Sequence, residues 1–307
     1  MGLIVTGMHR SGTSMVAGVL DQLGVSHGEG TMLGSSIVNP SGFFERVDVI
    51  AVNDSALQTL GGDWLVPPIF HSDTWLAFSE NTVRNYRSHV KFIDGQSQNW
   101  FIKDPRISLL LPLWDRIALE RLPTIIVVRN PLEIAQSLHL RNGLTHRQGL
   151  AVWYFYMQTL FSELRGRPHK IVDYQSALSD KVPTINSLAE FAWTFASLNL
   201  ENVPADLVNK TAEFMNPEFS RSDDVSGIRG IGIQETTELL DIYAALKSAH
   251  LNTCNEGLFS ATPDWISEAL YESRKYRKLQ DDLSTAQRSL VDMRRVITEL
   301  QQQTPNT

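Results

Sequence analysis

Several features that would restrict the function of this 307-residue chain are missing or scarce. It contains a single cysteine, Cys254, so no disulfide can form within the chain, which fits a reducing compartment. It has no run of about eighteen or more apolar residues and no signal-peptide pattern at its N-terminus. We therefore expect no transmembrane helix and a cytoplasmic location.

An excess of positive charge is also missing. The chain has 27 Lys and Arg against 34 Asp and Glu, a formal net charge of −7. This balance argues against broad binding to nucleic acids or to anionic membranes. Hydrophobic residues make up 42% and charged residues 20%, values typical of a globular protein with a sizeable core. An anionic ligand would then need a local cationic pocket.

Short apolar runs alternate with helical patterns along the chain. Four runs, at residues 3–6, 100–103, 124–129 and 170–173, predict buried strands. Apolar residues at helical spacing lie between and after them, for example over residues 13–23, 131–141 and 150–164. The alternation predicts an α/β fold in three layers, with a mostly parallel central sheet between helices.

The last forty residues have a different pattern. We predict one domain over residues 1–222, a helical part over 223–265 and a coiled-coil helix over 266–307. The coiled-coil prediction depends on apolar residues that step alternately by three and four, the spacing of a coiled coil. A single amphipathic helix folded against the core is the alternative. A coiled coil would form a homodimer or lead to a further domain. This heptad seam consists of Tyr276, Leu279, Leu283, Ala286, Leu290, Met293, Ile297 and Leu300.

A glycine-rich loop joins the first predicted strand to the first predicted helix. Its Gly7-x4-Gly12 spacing is typical of a P-loop, in which backbone N–H groups converge on phosphate oxygens beside a helix N-terminus. An ATP-binding P-loop has lysine directly after the second glycine, whereas this chain has Thr13 there and a cation, Arg10, earlier in the loop. The predicted phosphate-binding residues are Gly7, His9, Arg10, Ser11, Gly12, Thr13 and Ser14.

A second motif follows the strongest strand pattern. Arg129 lies where the strand ends, and Ser137 lies two turns into the next helix. An arginine at this position can bind a phosphate with two hydrogen bonds, and the serine can donate a hydroxyl to the same group. Both residues are expected at the carboxyl edge of the sheet, where open α/β sheets bind ligands.

Together the two motifs resemble a known family. The sequence from His9 to Ser14 resembles the 5′-phosphosulfate loop of sulfotransferases, and Arg129-x-Pro131 with Ser137 resembles their 3′-phosphate motif. The resemblance covers about residues 3–222 and is greatest to the bacterial carbohydrate-type branch with its P-loop sulfotransferase fold. It implies 3′-phosphoadenosine 5′-phosphosulfate (PAPS) as co-substrate, PAP as product and a hydroxyl acceptor on a carbohydrate or glycolipid.

Sulfuryl transfer needs cations near the leaving oxygen and a base near the acceptor hydroxyl. Arg10 is the first candidate for the cation. Lys103 is the second, because the Lys-Asp-Pro segment that it begins resembles one in tyrosylprotein and bacterial carbohydrate sulfotransferases. Glu45 is the first candidate for the base, followed by Glu29 and then His9. The chain lacks the Lys-Thr-His segment that supplies the histidine of cytosolic sulfotransferases, so the choice of base stays open. No spacing typical of metal ligands is found, and no metal is required.

Two other functions are compatible with parts of the pattern. A P-loop kinase would share the glycine loop, but Thr13 stands where that class has its lysine. A catalytically inactive scaffold would act through the C-terminal heptads and would have gaps in the phosphate motifs. Arg229, in a later glycine-bearing loop, is a weaker candidate for nucleotide contact because its flanking residues do not match the family.

Overall fold

The computed structural model describes residues 2–28, 30–34, 42–90, 99–196, 203–215, 225, 227–248, 258–259 and 261–303. Its strands form an all-parallel sheet in the order β2-β1-β3-β4. The strands are β1 (Gly2–Gly7), β2 (Trp100–Lys103), β3 (Thr124–Val128) and β4 (His169–Asp173). The predicted parallel sheet is confirmed, with all four predicted strands at or within two residues of their expected bounds.

Helices cover both faces of this sheet. Those described are α1 (Thr13–Gln22), α2 (Val47–Thr59), α3 (Glu80–His89), α4 (Leu111–Ala118), α5 (Pro131–Asn142), α6 (His146–Ser162), α7 (Tyr174–Ser179), α8 (Lys181–Ala196), α9 (Ala205–Phe214), α10 (Ile233–Ser248) and α11 (Asp264–Gln303). Short 3-10 turns cover Thr74–Ala77 and Pro105–Leu109.

The strands divide the interior into two apolar clusters. In β1, Leu3 and Val5 pack with α1, α8 and α9, whereas Ile4 packs on the opposite side with α2, α4 and α6. In β3, Ile125 and Ile126 alternate between the same two clusters. Because side chains alternate along a strand, a parallel sheet buried on both faces needs apolar residues at every position. This explains the unbroken apolar runs in the sequence and confirms the three layers.

Several helix ends differ from the sequence prediction for a local reason. Helix α6 begins at His146, four residues before the predicted start, because Thr145 forms a capping box with Gln148. The Thr145 side chain accepts a hydrogen bond from the Gln148 N–H, and the Gln148 side chain accepts one from the Thr145 N–H. The longer apolar run that begins later in α6 dominated the sequence pattern and hid this polar start.

The C-terminal helices pack on one face of the domain. In α10, the Tyr243 hydroxyl donates to the Asp173 carboxylate at the end of β4, at 2.5 Å. The first turns of α11 bury Ile266, Ala269 and Leu270 against α6. Within the described residues, no helix combines the length and the apolar character needed to cross a membrane.

Parallel strands place all of their carboxyl ends at one edge of the sheet. The loop after β1, the end of β2 at Lys103 and the residue after β3, Arg129, therefore lie along the same edge. The chain passes from β1 to β2 on one side and then crosses to β3 on the other side of β1, so the strand order reverses at β1, the position where open α/β sheets bind ligands. This edge positions the candidate site.

Candidate functional site

The loop between β1 and α1 turns tightly, and two of its glycines are sterically required. Gly7 has φ +148° and Gly12 has φ +96°. A Cβ atom on Gly7 would lie 2.3 Å from the Val127 carbonyl oxygen, and one on Gly12 would lie 2.2 Å from the Tyr174 ring. Because glycine has no side chain at these two positions, the loop backbone can lie close to both β3 and the start of α7.

Side chains from the neighbouring segment hold the start of this loop. The Gly7 N–H donates to the Ser108 hydroxyl at 3.1 Å, and that hydroxyl lies 2.8 Å from the Thr6 hydroxyl. The Thr6 hydroxyl also lies 3.0 Å from the Asp104 carbonyl oxygen. The Gly7 N–H is thus already engaged, and what Gly7 contributes to the predicted phosphate site is the turn of the backbone. The sequence contained no signal for Thr6 or Ser108.

The interior of the loop has the features of an anion site. The Ser11 hydroxyl is buried and has no hydrogen-bond partner among the described residues. Helix α1 begins two residues later, at Thr13, and directs its positive N-terminal end at the loop. A buried hydroxyl without a partner costs free energy unless a ligand or water satisfies it. A bound phosphate would supply the missing acceptor for this hydroxyl, and the phosphate site that the glycine spacing indicates stays a prediction.

The two predicted phosphate motifs meet in space. The Arg10 Nε donates to the Ser137 hydroxyl at 2.8 Å, and the Arg129 guanidinium donates to the Arg10 carbonyl oxygen at 3.2 Å. The Arg129 Nε donates to the Glu133 carboxylate at 2.6 Å. We call Arg10, Arg129, Glu133 and Ser137 the arginine cluster. Arg10 has φ +71°, an unusual conformation for a residue with a Cβ, which indicates a constrained loop.

Further residues orient the guanidinium of Arg129. It lies 4.5 Å from the centroid of the Tyr174 ring, and Gln175 donates to the Glu133 carboxylate at 3.2 Å. Sequence reasoning missed Glu133, although its position four residues after Arg129 at the start of a helix is the spacing of an ion pair. Tyr174 and Gln175 gave no sequence signal because only the tertiary structure brings the start of α7 to β3.

A second charged group lies at the other side of the loop. The Lys103 ammonium donates to the Glu45 carboxylate at 2.5 Å, to the Phe43 carbonyl oxygen at 2.9 Å and to the Ser14 hydroxyl at 3.3 Å. Both Lys103 and Glu45 are buried. We call Lys103, Glu45 and Ser14 the lysine cluster. The structure thus brings together the predicted second cation, the first candidate base and a residue of the phosphate loop.

The chain that carries Glu45 has a strained backbone. Phe44 has φ +54°, which costs about 1–3 kcal/mol for a bulky residue. Its ring packs toward α1, where a Cβ on Gly18 would lie 3.3 Å from it. The bond from Lys103 to the Phe43 carbonyl oxygen holds this segment over the end of β2. The other candidate base, Glu29, and the preceding residues 39–41 lie outside the described residues.

His9, the third candidate base, belongs to neither cluster. Its ring lies 4.3 Å from the Trp64 ring and 6.0 Å from the Tyr156 ring, between centroids. Burial, and then the nearby Arg106, lower the pKa of His9 well below 6.5. Its Nε2 is buried without a hydrogen-bond partner among the described residues. His9 is therefore neutral at pH 7 and packs against the rings of Trp64 and Tyr156.

The C-terminal helix holds the segment that packs on His9. In α11, Arg277 forms an ion pair with Asp63, and Arg274 donates to the Pro67 carbonyl oxygen at 3.0 Å. Trp64 lies in this segment, and its carbonyl oxygen accepts the Tyr156 hydroxyl at 2.9 Å. The phosphate loop, the segment 63–67 and the start of α11 are thus packed in series.

The Arg229 loop lies beside the site but outside both clusters. The Arg229 N–H donates to His146 Nδ1 at 3.3 Å, and its guanidinium donates to the Ile228 carbonyl oxygen. A Cβ on Gly227 would lie 3.8 Å from the amide nitrogen of Gln136, the residue before Ser137. The segment 219–222 lies outside the described residues. Across the part of the chain that is described, no group of three or more His, Cys, Asp or Glu could hold a metal ion.

Comparisons with known proteins found similarity in solved structures alone. No protein-family model and no curated protein matches the chain. The sulfotransferase domain of the Synechococcus olefin synthase is 14% identical, with 80% of this chain and 94% of that chain covered and a TM-score of 0.44. A Mycobacterium tuberculosis sulfotransferase is 11% identical, with coverage of 78% and 75% and a TM-score of 0.46. A Mycobacterium avium sulfotransferase is 13% identical, with coverage of 82% and 78% and a TM-score of 0.45.

All three structures carry the name of the family that the two motifs resemble. Their identities to this chain and their TM-scores are too low to establish a ligand or an activity for it. The structure itself contains a parallel sheet, a glycine-rich loop after its first strand, and both predicted motifs at its carboxyl edge. This architecture is the predicted three-layer α/β fold with a parallel central sheet.

Proposed function

We propose that the chain is a sulfotransferase that transfers a sulfuryl group from PAPS to a hydroxyl group of a carbohydrate or glycolipid in the cytoplasm. One observation carries the proposal. The arginine cluster and the lysine cluster lie on two sides of the same loop, joined to it by Arg10 and Ser14. A site for a nucleotide with phosphates at two positions needs two cationic groups that flank one glycine-rich turn.

The arginine cluster supplies the groups for a 3′-phosphate. Arg129 is a planar donor fixed by Glu133, and the Ser137 hydroxyl lies within reach of Arg10. Guanidinium groups bind phosphate oxygens with paired hydrogen bonds that also fix orientation. The 5′-phosphate would lie against the loop N–H groups, the buried Ser11 hydroxyl and the N-terminus of α1. This division of roles follows from the family motifs and agrees with the geometry.

The lysine cluster supplies the groups for the chemistry. Sulfuryl transfer forms a bond from the acceptor oxygen to sulfur and breaks the bond from sulfur to the 5′-phosphate oxygen, while the acceptor loses a proton. Glu45 accepts that proton as the general base. Lys103 and Arg10 stabilise the negative charge that develops between sulfur and the leaving oxygen. The sulfuryl group carries less charge than a phosphoryl group, so a metal ion is not required.

The hydrogen bonds of Lys103 imply an order of binding. An ammonium group has three N–H donors, and Glu45, Phe43 and Ser14 accept all three. An oxygen of the sulfuryl group must replace one of these acceptors before Lys103 can stabilise the reaction. We therefore expect the nucleotide to bind first and to release the Glu45 carboxylate for the acceptor.

A screen of acceptors with sulfur-labelled PAPS tests the proposal. The purified chain is incubated with mono- and oligosaccharides, glycolipids, a tyrosyl peptide and small alcohols, and the double variant K103M/E45Q serves as the inactive control. We expect the wild-type chain to label a sugar hydroxyl and the double variant to label none. Label on the tyrosyl peptide alone would show that the acceptor is a tyrosyl hydroxyl rather than a sugar hydroxyl. A lack of label on every acceptor, together with a lack of PAP binding, would refute the proposal.

The same assays separate the two alternatives. A P-loop kinase would bind ATP–Mg more tightly than PAP, which Thr13 and the arginine cluster oppose. An inactive scaffold would bind neither nucleotide or would bind PAP without any transfer. PAP binding with transfer excludes both alternatives.

A further inference from the structure

The two halves of α11 differ in what surrounds them. Ile266, Ala269, Leu270 and Ser273 are buried against the domain. From Tyr276 onward the helix continues to Gln303 without interruption, and every residue from 276 to 295 except the half-buried Arg277 is exposed. Residues 279 to 295 therefore project from the domain over roughly 25 Å, at 1.5 Å per residue.

The projecting half carries an apolar face without a cover among the described residues. The described large members of the heptad seam are 57% to 62% exposed. They are Tyr276, Leu279, Leu283, Leu290 and Met293. Isolated exposed apolar residues are common on proteins, but a continuous row of them is a mark of an interface.

The seam is centred away from the face that packs on the core. At 100° per residue, its centre is turned by roughly 120° around the helix axis from Ile266 and Leu270, and of the buried residues Ala269, seven residues before Tyr276, lies nearest to it. If the whole of α11 packed on the domain through the face that its first turns bury, most of the seam would thus still face solvent. Its spacing averages 3.5 residues, whereas a straight helix packed on a globular domain repeats at 3.6. A strict 3.5 repeat keeps one stripe facing a second helix over several heptads.

The positions beside the seam favour a second copy of this chain. In a parallel, in-register pair, the residue just before seam residue 283 or 290 of one copy faces a residue of the other copy. That residue comes just after the following seam residue, 286 or 293 respectively. Asp282 then faces Gln287 of the other copy, and Ser289 faces Arg294 of the other copy. Each pair contains one uncharged side chain, so no like charges oppose each other. The charged residues of the helix, such as Asp281, Asp292 and Arg295, lie on the outer side.

We infer that the chain forms a homodimer through a parallel coiled coil of α11, with the heptad seam as its interface and both α/β domains at the same end. The inference does not depend on the proposed enzymatic function. The proposed partner of the seam is the same helix of a second copy, and the test below distinguishes it from a helix of a different protein.

Sedimentation equilibrium of the full 307-residue chain tests this inference, at concentrations up to about 100 µM. The wild-type chain is expected at twice the monomer mass. The double variant L283E/L290E is expected at the monomer mass with unchanged thermal stability, because both side chains are exposed in the monomer. The matched control is V291E, which changes an equally exposed apolar residue on the same helix outside the seam and should leave the dimer intact.

A cysteine crosslink tests the orientation. In the C254S background, M293C places one thiol per copy at a seam position, and oxidation should link two copies because a parallel in-register pair brings this position next to itself. A wild-type monomer at the highest concentration, which would leave the seam to a different protein, would overturn the inference. Equal dissociation by V291E, a higher oligomer or a dimer without the crosslink would do so as well.

Discussion

The arginine cluster and the lysine cluster hold their charges in different ways. Arg129 has a planar guanidinium fixed by Glu133, by the Tyr174 ring and by the Arg10 carbonyl oxygen. Lys103 has a compact ammonium whose three donors reach two other segments of the chain, one at Ser14 and one that contains Phe43 and Glu45. A fixed fork suits a group that is bound and retained, whereas an ammonium on a flexible stem suits a group whose contacts change during a reaction.

This difference separates binding from chemistry within one site. Apart from Arg10, which also stabilises the leaving oxygen, variants in the arginine cluster should weaken nucleotide binding with a smaller change in turnover. Variants in the lysine cluster should lower turnover with a smaller change in nucleotide binding. The two clusters are close enough to share a loop, so each prediction below measures both quantities.

The largest effect is expected for Lys103→Met. Loss of the cation that stabilises the leaving oxygen, with Glu45 left buried and unpaired, should lower kcat by about 1,000-fold. Labelled sulfuryl transfer gives kcat, and calorimetry with PAP gives the nucleotide affinity. The exposed Lys278→Met serves as control and should behave as wild type. If K103M lost melting temperature and PAP affinity in parallel with activity, a purely structural role for Lys103 would explain the result.

A smaller loss of turnover is expected for Glu45→Gln. The amide keeps the shape of the carboxylate and still accepts a hydrogen bond from Lys103, but it cannot take a proton, so kcat should fall by about 100-fold. PAP affinity should stay within about threefold, because no charge-assisted bond to the nucleotide is lost. The exposed Glu80→Gln is the matched control. Retention of full activity by E45Q would point to Glu29 as the base.

An effect on affinity rather than turnover is expected for Arg129→Lys. Lysine keeps the charge but lacks the paired planar N–H donors of the guanidinium group. PAP should therefore bind about 10- to 100-fold more weakly, which corresponds to the loss of one or two charge-assisted hydrogen bonds. Turnover at saturating PAPS should change by less than about threefold. Arg84→Lys, at an exposed position in α3, controls for the exchange itself. Unchanged PAP affinity in R129K would remove Arg129 from the nucleotide site.

The smallest effect concerns His9, which lies outside both clusters. Its folded-state pKa is lowered below 6.5, so the unfolded chain takes up a proton there while the folded chain does not. Stability is therefore fully present above about pH 6.5 and falls as the pH drops below it. Denaturant unfolding at pH 7.5 and 5.5 should show a larger loss for the wild type than for His9→Gln. His146 also has a lowered pKa, and since its contribution is common to both proteins, the difference between them isolates His9. Equal losses would show that His9 is not buried in its neutral form.

The sequence predicted the parts of this site that depend on one element and its ends. Arg10, Arg129 and Ser137 lie at strand-to-helix junctions, where glycine spacing and strand ends are visible in the chain. The contact of Lys103 with Glu45 was not predictable, since these residues are 58 apart in sequence, one at the end of β2 and one just before α2, and only the packing at the sheet edge brings them together. Likewise Trp64 gave no sign that it covers His9, because that contact depends on the ion pair between Asp63 and Arg277 far along the chain.

Calorimetric titration of the wild-type chain with PAP, with adenosine 5′-monophosphate and with ATP–Mg tests the central claim most directly. The first two ligands differ by the 3′-phosphate alone, so the ratio of their affinities measures how much the contacts of the arginine cluster with that phosphate contribute to binding. The account predicts that PAP binds about 100-fold more tightly than adenosine 5′-monophosphate, a difference of about 3 kcal/mol, and more tightly than ATP–Mg. Equal binding of PAP and adenosine 5′-monophosphate, or preferred binding of ATP–Mg, would contradict it.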